Sequence, residues 1–456
     1  MDTEQAGSAS YPVQTLEYAL KRVNAGDIIY FQGDYKVTKN LSNGINKKVY
    51  FTGVSVDYSS LGSLEIRNDS EFTGNLTVKL PDNLIANGYS LKIDESVNVV
   101  PNTNGTTVFG GSSVNNVSGT DVTLLSGTYV AIYGGGVNGG IVTGDTKLTV
   151  AGNVNASAIY GGSKRGAVEG NTALYLGGNV NKNLNISNQS EMNHSEAGKA
   201  MVYAGTFEGS VKGNTYVEIN DNAKAGIIYG AGNGSTSSVE GKSTVIFNSG
   251  TAMGIYGGSS SGKCTSTAVV MNGGYVEQIF GGSNGAAITG NTDVRVLGGT
   301  VKRRVYGGCY NDYGLTGWKT SYTVTGNTNV VFGSNVSFPR NHSSDDNALC
   351  AISRYKDNNS AEVATLILSD YNGNLDGEIG SNYFNFSGGA YDYLLKVYPN
   401  VEAYSSNGTV YFKACKAGTL SIKCGNNTEN TAVNALDTVT YKLSHFNSKD
   451  ITVTLN

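Results

Sequence analysis

One short signature recurs through the middle of this 456-residue chain and limits what it can fold into. An aliphatic–aromatic pair followed by small residues appears as Val108-Phe109, Ile132-Tyr133, Ile159-Tyr160, Val202-Tyr203, Ile228-Tyr229, Ile255-Tyr256, Ile279-Phe280 and Val305-Tyr306. Successive aromatics are 24, 27, 43, 26, 27, 24 and 26 residues apart, and the long step contains a single insertion, Asn181 to Lys199. A second module follows most of the aromatics by about twelve residues, as in Val142-Thr143-Gly144-Asp145-Thr146, Val168-Glu169-Gly170-Asn171-Thr172, Val211-Lys212-Gly213-Asn214-Thr215, Ile288-Thr289-Gly290-Asn291-Thr292 and Val324-Thr325-Gly326-Asn327-Thr328. An alternating strand runs on from its Thr, then a Gly-rich corner, then one more aliphatic such as Val154, Val180, Val276 or Val301. A fixed period of this length is the mark of a repeat architecture.

Each unit therefore holds three short β segments and three corners. Alternation sends Thr, Val and Leu to one face of the strand and a changing set to the other. One unit alone has nothing to bury its aliphatic face against. Stacked units do, because equivalent positions pile up about 4.8 Å apart along an axis. The sequence thus predicts an all-β fold, a three-sided parallel β-helix. Asn171, Asn214, Asn291 and Asn327 fall at one corner of successive coils and are expected to bond along the stack, with Asp145 and Lys242 as interruptions.

Composition agrees. The chain has 62 Gly but only 5 Pro, which excludes collagen and Pro-rich linkers. Gly at this density disfavours long helices by roughly 1 kcal/mol per residue. Charged residues are only 15%, too few to hold a chain unfolded. The net charge of −4 argues against a nucleic-acid partner, and no apolar run approaches the roughly 18 residues of a membrane span. Five Cys make no disulfide framework, although Cys415 and Cys424 are placed to pair across a hairpin.

At the start, Leu16, Leu20 and Val23 share a helical face behind Thr15 as N-cap, with Gly26 closing the helix. The strands Asp27-Ile28-Ile29-Tyr30-Phe31 and Tyr35-Lys36-Val37 follow. This helix–Gly-Asp–strand–Gly-x-Tyr order, Tyr11 to Val37, resembles the N-terminal cap of the pectin-lyase-like right-handed β-helix superfamily. The Tyr-Gly-Gly repeats also look like those of large surface proteins of gut bacteria. The resemblance implies right-handed coils, in line with the general rule for parallel crossovers. Three regions follow: residues 1–26, an N-terminal segment with its capping helix; 27–338, a parallel β-helix whose repeats are clearest in 105–338; and 339–456, irregular terminal coils or a small β-domain.

Folds of the pectin-lyase-like kind often cleave acidic polysaccharides, with Asp/Glu clusters for calcium and an Arg or Lys base in lyases, or paired carboxylates in hydrolases. Asn291-Thr292-Asp293 matches a hydrolase tripeptide of the superfamily, yet Asn-Thr occurs at the same phase in four coils, so the ladder explains it. Gly-His-Gly and Arg-x-Lys motifs are absent. Glu218, Asp293 and Arg295 remain as candidate catalytic residues, against a plainer reading as surface ion pairs. No metal site is expected, because no row of three carboxylates appears. No cofactor is expected either, Ca2+ staying open only through scattered carboxylates.

The aromatic row carries the main binding hypothesis. If the preceding aliphatic points inward, alternation turns Tyr133, Tyr160, Tyr203, Tyr229, Tyr256, Phe280 and Tyr306 outward, as a strip able to stack on sugar rings. The variable residues two positions before the aromatics (Ala131, Ala158, Gly254, Gln278, Arg304) suggest that this face is exposed. Each aromatic also adjoins a small-residue corner, where alternation can break and the ring fold inward, so both placements stay open. Two loops add Asn188, Glu191, His194 and Glu196, and Tyr310, Asp312, Tyr313 and Trp318, the only Trp. The expected function is an extracellular or cell-surface scaffold for binding or adhesion, with a polysaccharide or host or cell-surface glycan as partner. The alternatives are a polysaccharide lyase or glycosidase, and a passive spacer. The N-terminus lacks signal-peptide features, so secretion implies a leader already removed.

Overall fold

The computed structural model describes residues 7–186, 198–310 and 322–337, and then 348–350, 364–369, 394–397, 400–406, 409–442, 445–447 and 450–456. The chain divides into two compact units, Met1–Ile227 with Gly232–Glu240, and Ile228–Ala231 with Gly241–Asn456. Both are built of parallel coils, and the fold is an all-β parallel β-helix.

The first unit opens on the helix Leu16–Arg22, with the Thr15 side chain accepting from the Tyr18 amide. Leu16, Ala19 and Leu20 are its buried face, and the helix stops at Val23 rather than at Gly26. The Tyr35 hydroxyl accepts from the Leu16 amide at 2.9 Å, and Lys47 donates to the last carbonyls of the helix, which ties it to the first coil.

Three parallel ladders then rise in register, one for each side of the coil. The first passes through Val49, Ser70, Leu91, Val122, Leu148, Leu174 and Val217, or their immediate strand neighbours. The second joins Ser55, Thr77 and Asn98, and higher up Gly127 and Val154. The third joins Leu64, Leu84, Val108, Ile132, Ile159 and Val202. Val122, Leu148, Leu174 and Val217 are fully buried, as are Ile132, Ile159 and Val202. Each contributes roughly 1.5–3 kcal/mol through apolar area removed from water, an interaction that only stacking makes available.

The Thr at the start of each long strand also points inward. The Thr146 hydroxyl donates to the Gly161 carbonyl at 2.7 Å, and Thr172 donates likewise to Ala204. These carbonyls lie at the bend that follows the aromatic, so each Thr fastens a corner that would otherwise leave a buried acceptor unmet. The corners leave no room for side chains: a Cβ on Gly161 would overlap the Ala204 carbonyl oxygen of the next coil.

The Asn row bonds as expected in both units, with one correction. Asp145 is no interruption, since it accepts from the Asn171 amide at 2.7 Å and from its side chain at 3.1 Å. Asn171 in turn accepts from the Asn214 amide. In the second unit Ser266 takes the first place, followed by Asn291 and Asn327.

The second unit repeats the pattern. Val269, Val294 and Val330 stack in one ladder, and Ile255, Ile279 and Val305 in another. The first of these ladders continues through Leu366 into Leu394–Val397 and ends at Asp450–Leu455. There the pairing changes hand: Gly418–Cys424 runs antiparallel to both Asn427–Val433 and Asp450–Leu455. Val401–Ser406, Thr409–Ala414 and Thr438–Lys442 form a separate antiparallel sheet. Phe412, Leu420, Ile422, Ile451 and Val453 make a core of their own at this end.

Candidate binding surface

The aromatic row faces inward. None of Phe109, Tyr133, Tyr160, Tyr203, Tyr229, Tyr256, Phe280 and Tyr306 is more than 6% exposed. In the first unit Phe109, Tyr133, Tyr160 and Tyr203 stack with centroids 5.1, 4.7 and 4.6 Å apart and planes within 9° of parallel. In the second, Tyr229, Tyr256, Phe280 and Tyr306 stack at 5.1, 4.9 and 5.2 Å. The assignment of these residues to an exposed sugar-binding strip is therefore corrected. The strand ends at the aromatic, the chain bends at the small residues behind it, and the aliphatic and the aromatic both enter the core. The faces of these rings lie against one another and are not available to a ligand. Only the hydroxyl edges reach polar groups: Asn233 donates to Tyr160, Gln278 to Tyr256 and Asn284 to Tyr229. Burial pushes the Tyr160 hydroxyl up to about 12, with the Asn233 bond working the other way.

The residues two positions before the aromatics are also not uniformly exposed. In the second unit Gln278 and Arg304 are paired in register and buried, and Glu277 and Arg303 are buried beside them. Burial raises the Tyr275 hydroxyl, Glu277 adds to that rise and Arg303 opposes it. A sequence signal for this polar layer existed: Glu277-Gln278 and Arg303-Arg304 stand at the same phase of successive coils.

The catalytic candidates belong to separate units and are each engaged locally. Arg295 Nε donates to Asp293 Oδ2 at 3.0 Å, and Asn329 donates to the other carboxylate oxygen at 2.8 Å. Half-exposed pairs of this kind contribute little to stability. Glu218 in the first unit accepts from the Tyr216 hydroxyl at 2.6 Å and from Asn220 Nδ2 at 3.1 Å. Among the described residues no three His, Cys, Asp or Glu side chains gather as a metal site would require. Trp318, Asp312 and Tyr313, and Asn188, Glu191, His194 and Glu196, lie outside the described residues. Tyr310 is described, and its ring sits edge-on to Phe280 and Tyr256. Cys415 is exposed and Cys424 buried, both as free thiols.

The outer faces carry what remains of the chemistry. Beside Glu218 on the adjoining coil is Tyr175, and beside Tyr216 is Ala173. The Tyr175 and Tyr216 rings are 5.8 Å apart and tilted by 54°, both partly accessible. Ion pairs along the same unit link neighbouring coils, Lys92 with Glu71, Lys147 with Asp121, Lys212 with Glu169 and Arg165 with Glu208.

Compared with known proteins, the chain matches no protein-family model, no curated protein and no solved structure. No described helix is long and apolar enough to cross a membrane.

Proposed function

We propose that this chain is a secreted or cell-surface β-solenoid that serves as a scaffold for binding or adhesion, with glycans as partners. On this reading it is akin to the pectin-lyase-like β-helices and to the Tyr-Gly-Gly-repeat surface proteins of gut bacteria. The observation that carries the reading is the division of side chains between the two faces. Aliphatic and aromatic residues are used to bind coil to coil, while the outer faces present Thr, Asn, Tyr and charges paired with their neighbours. A rigid surface rich in hydroxyl and amide groups suits hydroxyl-rich ligands, and long parallel ladders hold it in place without relying on a ligand. Fold alone licenses no such function, so the test is direct. The full chain, labelled and applied to an array of polysaccharides and host glycans, is expected to bind a subset reproducibly.

The inward turn of the aromatic rows favours a second reading, a passive spacer. An array that stays silent at high protein concentration selects the spacer over the binding scaffold.

A further inference from the structure

We propose that Tyr175, Tyr216, Glu218 and Asn220 form a saccharide-binding platform on the outer sheet face of the first unit, built for neutral pyranose sugars rather than for uronates. The proposal rests on the glycan-binding reading above and gives it a location and a sugar class. The four side chains come from two adjacent strands, Thr172–Leu176 and Thr215–Ile219, and from the corner just after the second. Parallel register sets Tyr175 against Glu218 and Ala173 against Tyr216, so the two rings lie on a diagonal. In the outward row Asp121, Lys147, Ala173, Tyr216 only Ala173 is small. It leaves a recess one coil wide, about 4.8 Å, between the Lys147 stem and the Tyr216 ring, with Tyr175 alongside. Aromatic faces beside such a recess offer the apolar contact that the C–H face of a pyranose takes.

The polar groups are already oriented. The Tyr216 hydroxyl holds one oxygen of the Glu218 carboxylate and the Asn220 amide holds the other. A carboxylate fixed at both ends keeps lone pairs free for sugar hydroxyls and loses little side-chain freedom on binding. Partial burial and the hydrogen bond to Glu218 both raise the Tyr216 hydroxyl, so it stays a protonated donor. Sugar class follows from charge. Lys147, the cation on the adjoining coil, is drawn toward Asp121 on its far side at 3.4 Å. The charge directed at a ligand is therefore that of Glu218, which repels a uronate carboxylate and accepts from a neutral sugar's hydroxyls.

The test uses the full chain and calorimetric titration with mannohexaose, cellohexaose, xylohexaose and hexagalacturonate. At least one neutral hexasaccharide is expected to bind and hexagalacturonate is not. Tyr175→Ala and Tyr216→Ala are each expected to weaken the neutral ligand about tenfold, which corresponds to the worth of one aromatic contact. Tyr175→Phe and Tyr160→Phe are expected to bind as the parent does. If an alanine variant loses its native circular dichroism, Tyr175→Leu and Tyr216→Leu replace it, keeping bulk without the ring face. Binding that is undiminished in these variants, while the array still shows glycan capture, overturns the platform and leaves the scaffold reading standing. Preference for hexagalacturonate overturns the sugar class. Silence towards every sugar, array included, overturns both.

Discussion

Two groups of tyrosines in the first unit sit within a few coils of each other and behave in opposite ways. Tyr133, Tyr160 and Tyr203 follow the third ladder in perfect register, so their rings superpose at 4.7 and 4.6 Å with planes 9° and 5° apart. Tyr175 and Tyr216 are two register positions out of step, and their rings meet diagonally at 5.8 Å and 54°. In the inner group the repeat dictates the contact, since every coil supplies the same atom at the same place. In the outer group nothing repeats, and each side chain answers only to its neighbours. Regularity marks residues that hold the stack together, and departures from it mark residues available for something else.

The difference is sharpest on truncation. Tyr160→Ala removes a ring stacked on both faces and edge-packed by Phe207, and is expected to destabilise by about 3–5 kcal/mol. Urea unfolding followed by circular dichroism reads this, and a loss under 1 kcal/mol would contradict the inward placement. Gly161→Val comes next, at about 3 kcal/mol, because the added carbon meets the backbone of the next coil and that backbone is itself hydrogen-bonded. Thr172→Val keeps shape but strands the Ala204 carbonyl, for about 1–2 kcal/mol.

A pH effect of about 1 kcal/mol separates the hydroxyl of Tyr160 from its ring. The ordinary value is 10 and the folded one about 12, so the folded state favours the protonated form. The associated stability is fully present below pH 10 and is lost as pH rises through about 12. Unfolding midpoints measured from pH 9 to 11 should therefore fall less in Tyr160→Phe than in the parent. Equal slopes in the two proteins would mean that the hydroxyl is solvated.

Much of this was legible in the residues. The aliphatic rows, the inward Thr and the Asn corner follow from a period near 25 and a strand alternation of two, and the structure has all of them. The orientation of the aromatic was not, because alternation holds only while the chain stays extended. At Tyr160 the strand ends and Gly161 bends away, so two consecutive side chains enter the core. The sequence displays the corner but not its dihedral angles. Burial of Gln278 and Arg304 was hidden for another reason: exposure of a polar residue depends on what packs over its face, which periodicity does not encode. Tyr175 and Glu218 were visible as outward positions, yet they read as irregular within a row. Their relation emerges only when adjacent coils are laid side by side.

The smallest expected effect completes the contrast. Tyr175→Ala removes a ring of the same size as that of Tyr160, but from a sheet face open to solvent, beside a carboxylate already held by Tyr216 and Asn220. Its cost to stability should stay within about 0.5 kcal/mol, the usual range for surface substitutions that touch no cap, cavity or buried network. A loss approaching that of Tyr160→Ala would make Tyr175 a structural residue, and the two groups of tyrosines would no longer differ in kind. An unchanged urea midpoint together with weakened sugar binding is the result that separates them, because a residue serving only the stack would move both measurements together.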